Sequence, residues 1–123
     1  MAKTERKKLI DKLDDLTREI VRKRDVVCQH CGKTSSEAQL QISHTVTRGW
    51  FGARWDLLNV MLLCAGCHQL WHKDPAFMVE WMKEKFPGRI KYLASVKKCR
   101  AWKNWELKEL IEERKQNLSE IDS

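Results

Sequence analysis

Four of the five cysteines fall in two pairs of identical spacing, Cys28-X-X-Cys31 and Cys64-X-X-Cys67. Each pair forms a tight turn that presents two sulfurs, and two such turns supply the four soft ligands of a structural zinc ion. This closure constrains the fold more than any other feature, because the chain must leave one turn and return to meet it at the other. The leftover Cys99 makes the count odd, which argues against a disulfide framework; it reads as a partly buried free thiol. At 123 residues the chain suits one modest domain, so residues 1–123 are read as a single unit whose small core gains from a structural metal.

Around the cysteines the pattern is mixed. From Thr4 to about Arg24, Leu9, Ile10, Leu13, Leu16, Ile20 and Val21 recur at three and four, the spacing of one helix face. Residues 4–25 therefore form an N-terminal helix. A core over residues 26–73 follows, in which QLQIS (39–43) alternates as a half-buried strand does and NVMLLC (59–64) is a second short strand. A short helix from about Gly66 carries His68 and His72. Asp74 and Pro75 then open a helix that stops at Pro87-Gly88. Residues 74–123 form a C-terminal helical region that continues with a short helix near 90–97 and a longer one from about Trp105 to Leu118. The fold class is α+β, a small strand pair with a metal embedded in helices.

Charge narrows the partner. Twenty-four Lys and Arg against seventeen Asp and Glu leave +7, which fits a polyanion. No run approaches the ~18 apolar residues of a membrane span, and the polar start MAKTERKK lacks the apolar segment of a secretory signal. The expected location is the cytoplasm, where thiols stay reduced.

His68 and His72 stand at i, i+4, so on a helix both imidazoles project from one face toward one ion. His44 closes the earlier strand, and three histidines are thus expected in one cleft. The order CQHCG, ISH, LLNV, LCAGCHQLWH resembles the signature of the HNH nucleases in their zinc-stapled form, over residues 28 to 72. The loop RGWFGARWDLLNV and the helical stretch FMVEWMKEKFPGRIKYLASV are further similar to the phage Rap/NinG recombination nucleases.

The resemblance implies a ββα-metal motif stapled by Cys28, Cys31, Cys64 and Cys67 on zinc and flanked by helices. It implies a DNA endonuclease in which His44 is the general base, Asn59 orients the loop, and His68 and His72 hold a catalytic divalent ion, Mg²⁺ or Mn²⁺. Products would carry 5′ phosphate and 3′ hydroxyl ends. A phage origin would place the enzyme in the host cytoplasm and its role in recombination or branched-DNA processing. A homodimer would suit cleavage of two strands.

Physical chemistry is consistent with those roles, since a histidine with a pKa of about 6.5 is a competent base at neutral pH if it stays unligated. Arg48 and Arg54 offer forked donors to phosphate, and Trp50 and Trp55 flank the same loop as DNA contacts. Trp71, Trp81 and Trp105 lie in helical patterns and are read as core. One departure stands out: Ser43 occupies the position before the base where many HNH enzymes carry an acidic metal ligand, with Asp56 as a nearby substitute. That serine favours the competing class, a zinc-containing module that binds DNA without cutting it. Three basic runs, Arg6-Lys7-Lys8, Arg22-Lys23-Arg24 and Lys97 to Lys103, are candidates for phosphate tracking.

Overall fold

In the computed structural model, which describes residues 2–122, the first element is α1, Glu5–Asp25. Thr4 starts it: its hydroxyl accepts the Lys7 N–H at 3.1 Å and satisfies a donor that has no partner within the helix. The apolar face is wholly used, with Leu13, Leu16, Ile20 and Val21 at most 4% exposed. α1 ends at Val26, whose φ of 66° is a region that a β-branched side chain rarely enters. The turn is held there by the Val26 N–H to the Arg22 carbonyl at 3.1 Å and by Asp25, whose carboxylate accepts the Leu62 N–H at 3.0 Å.

The first cysteine turn follows and leads to β1, Leu40–His44, which pairs antiparallel with β2, Val60–Cys64. In this register His44 opposes Val60 and Leu40 opposes Cys64. The chain passes from β2 into α2, Ala65–Lys73, with no loop between them. Cys64 is both the last strand residue and the helix N-cap, so the second cysteine turn is built on the strand–helix junction itself. The result is the expected α+β architecture with a strand–strand–helix unit at its centre.

Three helices complete the chain: α3 Pro75–Lys85, α4 Arg89–Ser95 and α5 Asn104–Asp122. Asp74 caps α3 by accepting the Phe77 N–H at 3.2 Å, with Pro75 in the first turn. α5 runs longer than the apolar pattern implies, because the charged residues after Leu118 carry no helix breaker.

Apolar side chains collect in two clusters. One surrounds the hairpin and cysteines, joining Val21, Leu40, Val60–Cys64, Met78 and Met82; the other lies between α1 and α5, joining Leu13, Leu16, Trp55, Leu107, Leu110 and Ile111. α1 contributes to both and so couples the half that holds the cysteines to the C-terminal helix. Two tryptophan assignments change. Trp55 is 2% exposed and sits in the second cluster, whereas Trp105 is 58% exposed. Periodicity missed this because Trp55 lies on a loop, and Trp105, near the start of α5, stays outside that cluster. None of the helices among the described residues is long and apolar enough to cross a membrane.

Candidate active site and metal centre

The sulfurs of Cys28, Cys31, Cys64 and Cys67 all lie within 4.8 Å of one another. A tetrahedral ion with metal–sulfur bonds of ~2.3 Å needs sulfurs roughly 3.8 Å apart. Cys31 and Cys64 are 3.6 Å apart at Sγ, so the set can bind zinc without rearrangement of the turns. Backbone N–H groups already point at the sulfurs: Cys31 to Cys28 Sγ at 3.5 Å and Cys67 to Cys64 Sγ at 3.4 Å. Burial pushes the Cys28 thiol up, but backbone hydrogen bonds from Cys31, Cys64 and His30 outweigh it and lower the pKa to about 7. His30, which the sequence leaves without a role, places Nδ1 3.2 Å from Cys67 Sγ and its ring edge-on to Trp81 at 4.8 Å between centroids.

His44 stands at the end of β1, over a cleft of about 170 Å³ lined by Asp14, Thr17, Arg18, Ile42, His44 and Arg48. Its Nε2 is 3.2 Å from the Arg54 carbonyl oxygen. A carbonyl only accepts, so this contact puts the ring proton on Nε2 and leaves the Nδ1 lone pair free. Burial lowers the His44 pKa from its usual value, and the charge of Arg48 adds to that, while the Arg54 carbonyl and Asp14 oppose it. The imidazole is neutral at pH 7 and able to take a proton.

Asn59 is fully buried and closes the loop that begins after His44. Its Oδ1 accepts the Val46 N–H at 2.8 Å, and its Nδ2 donates to Val46 O at 3.1 Å and Ala53 O at 3.0 Å. Its carbonyl also accepts the Thr45 N–H at 2.8 Å. One side chain thus pins both ends of the turn that carries the Arg54 carbonyl to His44.

His68 and His72 lie together on α2, ring centroids 5.5 Å apart. His68 Nδ1 is 2.7 Å from Gln41 Oε1, and Gln41 Nε2 donates to Gln39 Oε1 at 3.3 Å, which orients the amide. The His68 proton is therefore on Nδ1 and Nε2 is free to ligate. Burial lowers the His68 pKa, and His72 lowers it further. Side chains alternate along β1, so Gln41 with His68 lies on one face and Ile42 with His44 on the face toward α1. The cleft beside His44 is lined from α1, β1 and the following loop, whereas His68 and His72 lie beside Gln41. Apart from the four cysteines, no group of three or more metal-donor side chains comes together among the described residues.

The remaining site residues divide. Arg54 is 13% exposed in its side chain and donates from Nε and Nη2 to the two oxygens of Asp14, at 3.1 and 2.8 Å, so its fork is a structural tie and does not face a ligand. Arg48 also reaches Asp14, at 3.0 Å, but its side chain is 57% exposed. Trp50 is half-buried, with its indole N–H on the Val96 carbonyl at 3.2 Å. Ser43 is 2% exposed. Asp56 uses one oxygen on the Leu58 N–H at 2.9 Å and the other on the Tyr92 hydroxyl, so it ties the loop to α4 and does not replace a metal ligand.

Asp14 is the residue that sequence reasoning passed over. It accepts from Arg54, Arg48 and, at 2.8 Å, the Trp55 indole N–H. Burial raises its pKa, but the hydrogen bonds from Arg54 and Trp55 and the charges of both arginines outweigh that and hold it below the usual carboxylate range. A signal existed: Asp14 interrupts the apolar stripe of α1, four residues after Ile10 and beside Leu13 and Thr17.

Compared with known proteins, residues 28–74 match the family model described as HNH endonuclease. The matched span runs from the first cysteine turn to the end of α2 and takes in His44, Asn59, His68 and His72. It leaves α1 and the helices after Asp74 outside. No curated protein and no solved structure gave a match to the chain.

Proposed function

We propose that this protein is a metal-dependent DNA endonuclease of the HNH type that hydrolyses phosphodiester bonds. The observation that carries the reading is the Asn59 clasp, which fixes the loop so that the Arg54 carbonyl holds His44 Nε2 and leaves Nδ1 as a base. His44 takes the proton from the attacking water. Cys28, Cys31, Cys64 and Cys67 would hold zinc as a staple, and His68 with His72 would hold a divalent cation, Mg²⁺ or Mn²⁺. That cation, when bound, supplies neutralisation of charge at the scissile phosphate.

Exposed Arg48 serves as the phosphate contact beside His44, whereas Arg54 acts through Asp14 to hold the loop. The finer reading, a phage enzyme acting in recombination or on branched DNA in the host cytoplasm, rests on the likeness of the loop and the following helix to the Rap/NinG nucleases.

One observation favours a second reading. With Ser43 buried and Asp56 engaged elsewhere, two imidazoles are the side-chain ligands that the described residues offer to the second cation, which fits a zinc module that binds DNA without cutting. Conversion of supercoiled plasmid by zinc-loaded protein in Mg²⁺ or Mn²⁺, beside His44→Ala of equal zinc content, separates the two. Cutting by the parent and its loss in the variant support the enzyme. Binding by both, with no cutting of plasmid or branched DNA under either cation, leaves the binding module.

A further inference from the structure

Three basic runs stand in the sequence, and the structure separates them by what their charges already touch. In the first, Arg6 donates to the Trp102 carbonyl and Lys7 pairs with Asp11. In the second, Arg22 reaches the Leu40 carbonyl, Lys23 pairs with Asp122, and Arg24 holds Asp25 and the carbonyls of Leu57 and Val60. These cations tie helices and strands together. The third run, VKKCRAWK over residues 96–103, has four cations and no acid. Arg100 pairs with Glu106 at 3.2 Å, and the Lys103 N–H donates to the same carboxylate at 3.0 Å; among the described residues, no ion pair engages the ammonium groups of Lys97, Lys98 or Lys103.

This third run is fastened to the loop that follows His44. Trp50 donates to the Val96 carbonyl at 3.2 Å, and Trp102 donates to the Phe51 carbonyl at 2.9 Å. Between those bonds Gly52 lies so close that a Cβ on it would stand 1.8 Å from the Lys97 carbonyl oxygen. The segment is held by the bonds from Trp50 and Trp102 and presses on Gly52, four residues beyond Arg48 along that loop.

We propose that residues 96–103 form the arm that tracks a duplex DNA backbone beside the His44 cleft, through Lys97, Lys98 and Lys103. The contact is with phosphates and not with unpaired bases, because the aromatic faces nearby are covered. Lys98 lies over the Trp50 ring at 5.5 Å and Arg100 over the Trp102 ring at 3.5 Å, while Trp55 is buried. Exposed Trp105 shares its groove with Glu106, Glu109 and Glu113, which repel a polyanion. The arm names the substrate surface of the proposed nuclease and rests on that reading for its purpose, but its binding is measured without cleavage.

The test is binding of a labelled duplex by the zinc-loaded full chain without added Mg²⁺ or Mn²⁺, as a function of salt, for the parent and for K97A/K98A/K103A. Each phosphate contact contributes about 0.9 to the slope of log affinity against log salt, so the expected slope falls by up to about 2.7 in the triple variant. A control with Lys7 and Lys23 changed to Ala keeps the parent slope. An unchanged slope in the triple variant overturns the arm, as does tighter binding of a single strand than of the duplex. Cleavage by the parent with that same unchanged slope overturns the arm alone, and an altered slope without cleavage by the parent overturns the nuclease reading alone.

Discussion

Replacing Asp14 by Asn tests whether a carboxylate inside the α1 stripe organises the loop around His44. The wild-type side chain is 8% exposed and accepts four hydrogen bonds, from Trp55 Nε1, Arg54 Nε and Nη2, and Arg48 Nη2. The amide removes the charge that compensates Arg54 and turns one acceptor into a donor facing other donors. Removing one partner of a buried ion pair costs about 3–5 kcal/mol. Arg48, 57% exposed, adds no more than ~1 kcal/mol, so Arg54 and Trp55 carry the loss. For a small domain with a urea slope of about 1–3 kcal/mol/M, a loss of ~3 kcal/mol lowers the midpoint by roughly 1–3 M. Tryptophan fluorescence of zinc-loaded protein in urea reads this, with Arg48→Ala as a control that stays close to the parent. The pH dependence has a definite sign. Because the folded pKa of Asp14 is lowered, its contribution is present above the unfolded value of about 3.9 and disappears as pH falls through the folded one. The difference between parent and Asp14→Asn should therefore persist from neutral pH to about 5 and close in stronger acid. A destabilisation under ~0.5 kcal/mol at pH 7 would refute the account, since it is no more than an ordinary surface change.

Other outcomes follow from the same contacts. Asn59→Ala leaves the Val46 N–H and carbonyl without partners, the Ala53 carbonyl keeping the Asp56 N–H, at a cost of about 2–4 kcal/mol; slow amide exchange at Val46 that survived the change would show the loop is held another way. Gly52→Ala forces the 96–98 segment away from the loop, and duplex affinity should fall although no charge has changed. Parent-like affinity would mean that the fastening of the segment is unimportant. Ring titration of His44 by NMR should give a midpoint below the usual 6.5, with the acid limb of cleavage following it, and Arg48→Ala should raise both because that charge helps depress the pKa. A midpoint at or above 6.5 would contradict the burial argument. Cys64→Ser removes a sulfur ligand while its hydroxyl can still cap α2, so bound zinc should drop below one equivalent and thermal stability should fall with it. Full zinc retention would show that four sulfurs are not required.

The cysteine turns, the strand pair and the helices were legible in the sequence, because each depends on local spacing: C-X-X-C for a metal turn, alternation for a strand, threes and fours for a helix face. Asn59 was legible as a candidate through its order between His44 and His68. Its hydrogen bonds were not, since they close a loop onto itself. The sequence by itself therefore determined which side chains can bind metal, take a proton or carry charge. Tertiary structure alone decided how they combine. Pairing of β1 with β2 set His44 and His68 on opposite faces of one strand, and the packing of α1 against the loop turned Arg54 inward onto Asp14. The basic runs separate for the same reason: alike in being basic, they differ because a cation's availability depends on whether distant residues have supplied it with a partner, and only folding brings those residues within reach.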